Sequence, residues 1–461
     1  MNPLASELKM PKEAGDFRGY QQAQPAGIDE ELARVGPGTP CGEYLRCYWH
    51  PVFITSELGE LPKAIKILGE ELVLFRYGGG SDGEIGLVHK YCPHRRASLE
   101  YGRCEERGIR CCYHGWLFAP DGEILETPAE AVDSRTAIQL RKSIRLGAYP
   151  VIEYKGLIFA YMGKPEQIPA FPIYDACEME GITRRPYKAL YACNWVQVLD
   201  AIMDPVHTTF LHSKNSHLQF SEGMSAIGEL KFYERHDNHL LGSSTRRVGD
   251  NAWVRLNELI LPNFTQAGAA YAADGTEPIY FGRSAFTRWV VPVDDEHSIA
   301  YAWGNFGERG DPHQYNSKEG CELIEQGEIL DRPAEERQRH PADSEAVEGM
   351  GAISSQKGEN LMPTDRGVSL YRRSIRRQIR ELADGKAPPQ PRMADGASVR
   401  TYGQDTILTL PAIEGQDDHA YLKKIGEAIM ALEFDYEDYD NDARDAAIID
   451  GLKDIEANGI T

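Results

Sequence analysis

The strongest constraint on this chain is a pair of short motifs that offer metal ligands. Tyr91-Cys92-Pro93-His94 is followed, after sixteen residues, by Cys111-Cys112-Tyr113-His114-Gly115-Trp116. Each motif presents one thiolate and one imidazole on a tight turn. Two such turns on neighbouring hairpins can hold a [2Fe–2S] cluster, with two thiolates on one iron and two imidazoles on the other. Neutral imidazoles raise the reduction potential above that of an all-cysteine cluster, so an ordinary ferredoxin-type donor can reduce it. A Cys₂His₂ zinc site uses the same ligand types. Zinc fingers, however, usually pair cysteine with cysteine and histidine with histidine, so the mixed order favours the cluster. Cys104 and Cys112 fall within or beside the motif and are expected to be small packing residues.

The surroundings suit such hairpins. Runs at 64–68, 71–77, 86–89 and 109–112 are short and carry β-branched or aromatic residues. Gly78-Gly79-Gly80-Ser81-Asp82-Gly83 and Asp121-Gly122 read as turns between them. A proline-containing connection spans 168–186. Then comes a helical stretch in which Trp195, Leu199, Ile202, Val206 and Phe210 recur every three or four residues. Pro205 fits the first position of a new helix capped by Asp204, so a break is expected there. Strand patterns return at 240–247, 253–261, 278–292 and 298–306, enough for a long antiparallel sheet. Helix patterns dominate from 315 onward, including 366–383, ended by Asp384-Gly385.

The broken helix carries a second constellation: Asn194, Asp204, His207 and His212. A non-haem Fe(II) oxygenase site takes two imidazoles and one carboxylate on one face of the iron and leaves the other face open. Residues five apart stand about 140° round an ideal helix, so His207 and His212 converge only at a helix end or a distortion. Asp204, three residues before His207, is placed to orient that imidazole as well as to cap the helix. The third ligand is not readable from local spacing; Asp343, Glu345, Glu348 and Asp365 are the candidates. His236 and His239 form a comparable histidine pair that is read as surface.

With both constellations in view, the chain resembles the α subunit of Rieske non-haem iron oxygenases, in the phthalate dioxygenase-like branch that includes aromatic-acid O-demethylases. The stretches that carry the resemblance are Arg34-Val35-Gly36-Pro37-Gly38-Thr39-Pro40, Cys92 to Arg103, Arg110 to Trp116 and Asp204 to His212. It covers about residues 31–385. It implies an α+β fold: an N-terminal all-β Rieske domain followed by a helix-grip (START-like) catalytic domain with an antiparallel sheet. The expected division is an N-terminal arm and helix (1–46), the Rieske domain (47–165), the catalytic domain (166–385) and an acidic extension (386–461). The resemblance selects Asp343 as third ligand, with Glu348 in reserve. It makes Asp204 and Asn194 catalytic residues, with Asp204 bridging the cluster of one subunit to the iron of the next. It implies a homotrimer or stacked trimers, and O₂ and an aromatic, carboxylated substrate that is hydroxylated or O-demethylated. The tail either caps the active-site entrance or serves assembly.

The chain shows neither a G-x-G-x-x-G fingerprint nor a plant-type cluster motif, so electrons are expected from a separate NAD(P)H-dependent reductase, with or without a ferredoxin between. The Arg366–Arg380 stretch offers six arginines to an acidic redox partner, although bonding to the chain's own acids is the favoured reading. Arg246, Arg247, Arg283 and Arg288 lie on sheet strands and are each expected to point to solvent. Alternation lets at most one of Arg246 and Arg247 turn inward toward a substrate carboxylate. The formal net charge of −21 argues against nucleic-acid or anionic-membrane partners. No apolar run approaches a membrane span, the N-terminus lacks the apolar core of an export signal, and nine cysteines in such a chain read as thiols or ligands, so a cytoplasmic location is expected. Two other functions remain in competition: a Rieske electron carrier without oxygenase activity, and a zinc-stabilised binding protein.

Overall fold

The computed structural model describes Gly19 and residues 27–460, apart from 81–82, 132, 216–221, 236–237, 269–273, 308–330 and 395–397. The expectations for the N-terminal arm before residue 27, for His236 and for the segment from 315 to 330 lie outside the described residues.

The first third of the chain is built from short antiparallel strands. One four-stranded sheet pairs Lys63–Ile67, Glu70–Tyr77, Glu84–His89 and Ala148–Tyr149 in that order. A second pairs Arg103–Glu105, Gly108–Arg110, Leu117–Phe118 and Ile124–Glu126, and it carries the second ligand motif between its middle strands. A three-stranded sheet, Trp49–Ile54, Leu157–Tyr161 and Val151–Tyr154, forms the base.

The rest of the chain is organised by one nine-stranded antiparallel sheet. Its strands are β1 (Thr183–Tyr191), β2 (Glu229–Glu234), β3 (His239–Val248), β4 (Asn251–Ile260), β5 (Phe264–Ala267), β6 (Ile279–Arg283), β7 (Phe286–Pro292), β8 (Ser298–Phe306) and β9 (Gln404–Thr409). The spatial order is β1-β8-β7-β5-β4-β3-β2, and β9 pairs with both β4 and β6. The run at 278–292 is therefore two strands, β6 and β7, parted at Ser284-Ala285.

The two faces of this sheet are covered differently, as its side-chain alternation requires. Trp289, Trp303 and Tyr301 face the base of the small β unit: Trp289 and Trp303 meet Phe159 edge-on or tilted at 5.3 and 6.4 Å, and Tyr301 donates to Val52 O. The other face takes five helical elements: α1 (Trp195–Ile202), α2 (Pro205–Thr209), a π-helical turn at Phe210–Asn215, α3 (Asp343–Glu348) and α4 (Arg366–Ala383). Asn257 of β4 donates to Ile202 O at the end of α1 (3.2 Å), and a Cβ at Gly242 of β3 would stand 3.8 Å from the Pro205 ring.

The acidic tail is part of this architecture. It supplies β9, and its helices α5 (Asp418–Asp435) and α6 (Asn441–Asn458) lie over the portion of the sheet that the small β unit leaves bare. There Leu241, Val254, Leu256 and Leu408 meet Leu422, Ile425, Ile429, Ile448 and Leu452. Gly426 of α5 is in tight contact with Thr245, which points away from the α1–α2 side. The tail thus covers the face opposite those helices and is no cap on an entrance between them. Its seam holds a buried network in which Arg283 binds Asp175 and Asp445 (3.2 and 3.3 Å), with Arg444 beside Asp175 and Glu433 (both 3.5 Å).

Four residues expected to be exposed are buried instead. His239 is buried, with Nε2 facing Arg400 O at 3.0 Å, because it begins a strand paired on both sides. Arg246, Arg283 and Arg288 are buried as well. Only Arg247 turns partly outward, to Asp418. Cys112 is exposed and is no packing residue, since it lies at the tip of the ligand loop, whereas Cys104 packs against the local core.

Candidate metal centres

The two loops at Cys92 and Cys111 are built alike. In each, the cysteine N–H donates to the carbonyl five residues on (Cys92 to Ala97 and Cys111 to Trp116, both 2.9 Å). In each, the N–H of the residue four positions on returns to the cysteine carbonyl (Arg96 to Cys92, 2.9 Å; Gly115 to Cys111, 3.1 Å). That fifth residue is left-handed in both, with φ of 64° at Arg96 and 73° at Gly115. Glycine is the natural occupant of such a position. Arg110 braces the second loop by donating to Gly115 O (2.6 Å) while binding Glu105 and Glu126.

Both cysteines are buried, and the His94 and His114 rings stand 4.6 Å apart, with His94 stacked on Trp116 at 4.5 Å. Burial pushes the Cys92 thiol up to about 11, against the N–H groups of His94 and Arg95 that favour its thiolate. A cluster held there would offset that cost, because metal binding selects the deprotonated ligand. Two thiols on one side and two imidazoles on the other match the donor set of a two-iron centre.

The second group forms where three segments meet. His207 Nε2 lies 3.5 Å from Asp343 Oδ1, His212 Nε2 lies 3.3 Å from the same oxygen, and the two rings are 5.3 Å apart. Ligand atoms about 2 Å from one metal ion sit about 3 Å from each other, so this spacing suits a shared ion. Asp343 Oδ1 is buried, and the groups it faces among the described residues are the two imidazole nitrogens, as for an oxygen that shares a cation with them. Burial alone would raise this carboxyl, but His212, His207 and Arg288 together hold it well below the usual carboxylate range. Among the described residues, this is the one group of three such ligands close enough to share an ion.

Local sequence explains how the histidines converge. Asp204 caps α2 by accepting from Val206 N (2.9 Å), and Pro205 takes the first helical position. The helix then widens into the π turn at 210–215. Bonding five residues apart brings residues at that spacing closer to one face, which reduces the 140° divergence of an ideal helix. The distortion that the spacing demands thus follows His207 as well as preceding it.

Several expectations are corrected at this point. The His207 Nδ1 partner is the main-chain carbonyl of Asp204, not its carboxylate, because the carboxylate is turned to the helix cap. Asn194 does not reach the triad: it caps α1 and ties Ala33 and Asp295 carbonyls (2.9 and 2.7 Å), fully buried. The other acids are engaged elsewhere. Glu345 binds Arg332 and Arg337, Glu348 accepts from Ala192 N, and Asp365 accepts from Met362 N.

One positioning residue was missed. Gln197 of α1 donates to Val347 O and Gly351 O (2.7 and 2.9 Å) and accepts from Ser354 N (2.9 Å), so it clamps α3, and with it Asp343, against the histidine-bearing helices. A glutamine among the apolar residues of the first turn of α1 was the available signal. The arginines of α4 serve the chain itself: Arg372 binds Asp200 and Glu359, Arg376 binds Asp29, and Arg380 binds Glu31.

Comparison with known proteins bears directly on these two centres. Residues 41–145 match the Rieske [2Fe-2S] domain family. The oxygenase subunit of tert-butanol monooxygenase / tert-amyl alcohol desaturase from Aquincola tertiaricarbonis is 36% identical over 96% of both chains. The chain is a Rieske oxygenase α subunit. The α subunit of phenoxybenzoate dioxygenase from Ectopseudomonas oleovorans is 35% identical over 80% of this chain and 88% of its own. Among solved structures, dicamba monooxygenase (TM-score 0.56, 18% identity, 75% of this chain and 100% of that one) and Pseudomonas putida CBB5 NdmA (0.57, 17%, 75% and 93%) share the fold. As a Rieske oxygenase, the protein uses a [2Fe–2S] cluster and non-haem iron, consumes O₂ and takes electrons from a reductase partner. No helix among the described residues is long and apolar enough to cross a membrane.

Proposed function

We propose that Cys92, His94, Cys111 and His114 hold the [2Fe–2S] cluster, and that His207, His212 and Asp343 hold the Fe(II) at which an aromatic substrate carrying a carboxylate is hydroxylated or O-demethylated. The observation that carries this reading is the buried Asp343 oxygen, which faces both imidazoles at 3.3 and 3.5 Å. An electron carrier has no use for such a triad. Together the two groups supply one-electron transfer and the activation of O₂.

The chain's own residues do the rest. Gln197 and the π turn fix the three ligands on one face and leave the opposite face to substrate. Trp253, Phe286, Tyr187 and Met224 form an apolar wall on the same side of the sheet, which suits an aromatic ring. The base of the small β unit packs on the reverse face, so within one chain the sheet stands between that base and the triad. This favours a homotrimer in which the cluster of one copy serves the iron of the next. Asp204, whose second carboxylate oxygen has no partner among the described residues, is the proposed bridge between them. The proposed compartment is the cytoplasm, where thiols stay reduced before cluster assembly.

Metal analysis with an electron-paramagnetic-resonance spectrum of the anaerobically reduced protein tests this reading. About three irons per chain with a Rieske-type signal is the expected result. Zinc without a signal, or two irons per chain with full turnover, would overturn the assignment.

A further inference from the structure

On the face of the sheet that carries the triad, the buried charges do not balance. Arg246 of β3 and Arg255 of β4 are diagonal neighbours, 1% and 3% exposed, and their guanidinium carbons stand 5.9 and 5.8 Å from the ring of Trp253. Among the described residues one carboxylate, Asp405 of β9, lies with them. It accepts from Arg255 Nε and Nη2 (3.0 and 2.8 Å) and from Trp253 Nε1 (2.7 Å).

Arg246 is left with neutral acceptors. It donates to Met224 O (3.2 Å), Met224 Sδ (2.8 Å) and Ser244 Oγ (2.7 Å), and its Nε–H has no partner among the described residues. Burial pulls its pKa down to about 9, the neighbouring Arg255 adds to this, and Asp405 only partly opposes it. A guanidinium is the best side chain for gripping a planar carboxylate, and burying one without an anion is unfavourable unless something supplies that anion.

The location joins this spare charge to the chemistry. Arg246, Ser244 and Gly242 share one face of β3, and Gly242 is the residue under Pro205 of α2. The turn at Glu222–Ser225 that carries Met224 lies beside both α2 and the π turn, and Thr209 Oγ1 reaches Ala226 O (3.5 Å). Phe286, Tyr187, Ala302 and Ile407 complete an apolar cluster with Trp253 and Met224. Four residues of strand, about 13 Å, separate Arg246 from Gly242.

We infer that Arg246 anchors an anionic group of the substrate, the carboxylate of an elongated aromatic acid, at the end of the site away from Asp343, with Trp253 beside it as a stacking surface. This rests on the oxygenase reading for the word substrate, and it deepens that reading by naming the residue that selects a charged over a neutral ligand. Arg288, whose charge acts on Asp343 from within the same face, is the competing anchor.

The test is calorimetric binding to the iron-loaded oxygenase without reductase, so no turnover is needed. The probes are 4-phenoxybenzoate and its neutral isostere 4-phenoxybenzamide. The wild type should bind the acid at least about tenfold more tightly than the amide, Arg246→Gln should abolish that preference, and Arg246→Lys should keep part of it. Equal binding of acid and amide, binding of neither, or a preference that survives Arg246→Gln but vanishes in Arg288→Gln would overturn the inference. Should Arg246→Gln fail to fold, judged by loss of the cluster signal, the wild-type comparison and the lysine variant still decide. Iron content of the same preparation reports separately on the oxygenase reading.

Discussion

The cluster loops and the mononuclear triad reach similar precision by opposite routes. Each loop is closed by hydrogen bonds within six consecutive residues, and the two are carried by neighbouring hairpins. The triad takes two ligands from one broken helix and the third from a helix far along the chain. Its geometry is held by contacts such as Gln197 to Val347 and Gly351, and Tyr371 to Val196 O (3.0 Å). A site made of local bonds keeps its shape when distant packing changes. A site assembled across segments inherits every shift between them.

Substitutions that separate the two routes sharpen this contrast. The largest effect is expected for Asp343→Ala, which should empty the mononuclear site, leave the cluster spectrum intact and lower turnover by more than about a hundredfold. Iron retained at full occupancy would move the carboxylate role to Glu348. Asp204→Asn should keep all irons and the cluster signal while turnover falls about 10–100-fold, measured under saturating reductase. Unchanged turnover would remove Asp204 from the electron route.

Gln197→Ala touches no ligand. It removes three hydrogen bonds and leaves Ser354 N without its acceptor, so roughly 1–3 kcal/mol of stability should be lost in denaturant titration. Iron affinity should drop about tenfold with the cluster signal unchanged. If both centres weakened together, the contrast would be broken.

The smallest effect concerns the seam of the tail. Burial raises the Glu258 carboxyl to about 8, despite donation from Tyr402 N and Gly403 N, with Asp175 and Glu433 nearby and His239 at 3.7 Å. Burial likewise raises Glu433 to about 7, opposed by Arg444 and Arg283. A carboxyl raised in the folded state binds its proton more tightly there than in the unfolded chain. Its stabilising effect is complete below the unfolded value of about 4.5 and is lost as pH rises through the folded value. The melting temperature should therefore fall by a few degrees between about pH 5 and pH 9. Glu258→Gln should flatten that slope, and an unchanged profile would deny these carboxyls a role in the fold.

What could be read in advance follows the same division. The break at Pro205 and the α4 helix with its stop at Gly385 (φ 87°) were legible, as was the pair of tight turns that carries the proposed cluster ligands, because each depends on residues within one or two turns of chain. Asn194 misled because a polar residue beside a metal-binding stretch looks chemical, whereas its side chain is consumed by a helix cap and two carbonyls. The strand β9 was not foreseen, since a six-residue run has no period long enough to distinguish it from a loop. Missing it hid Asp405, the acid that lets Arg255 be buried, and so made solvent the natural expectation for the strand arginines.

By itself the sequence determined the donor types, their order and the turn chemistry of the two cluster loops, because cysteine, histidine and a left-handed fifth residue act through bonds to near neighbours. It also determined that His207 and His212 need a distortion to meet. Only the tertiary structure decided that Asp343 is the acid facing them, that Gln197 holds it there, and that the tail supplies a strand and Asp405 to the arginine-bearing face. Those outcomes depend on which distant segments pack together, and packing free energy is summed over the whole sheet rather than encoded at any one position.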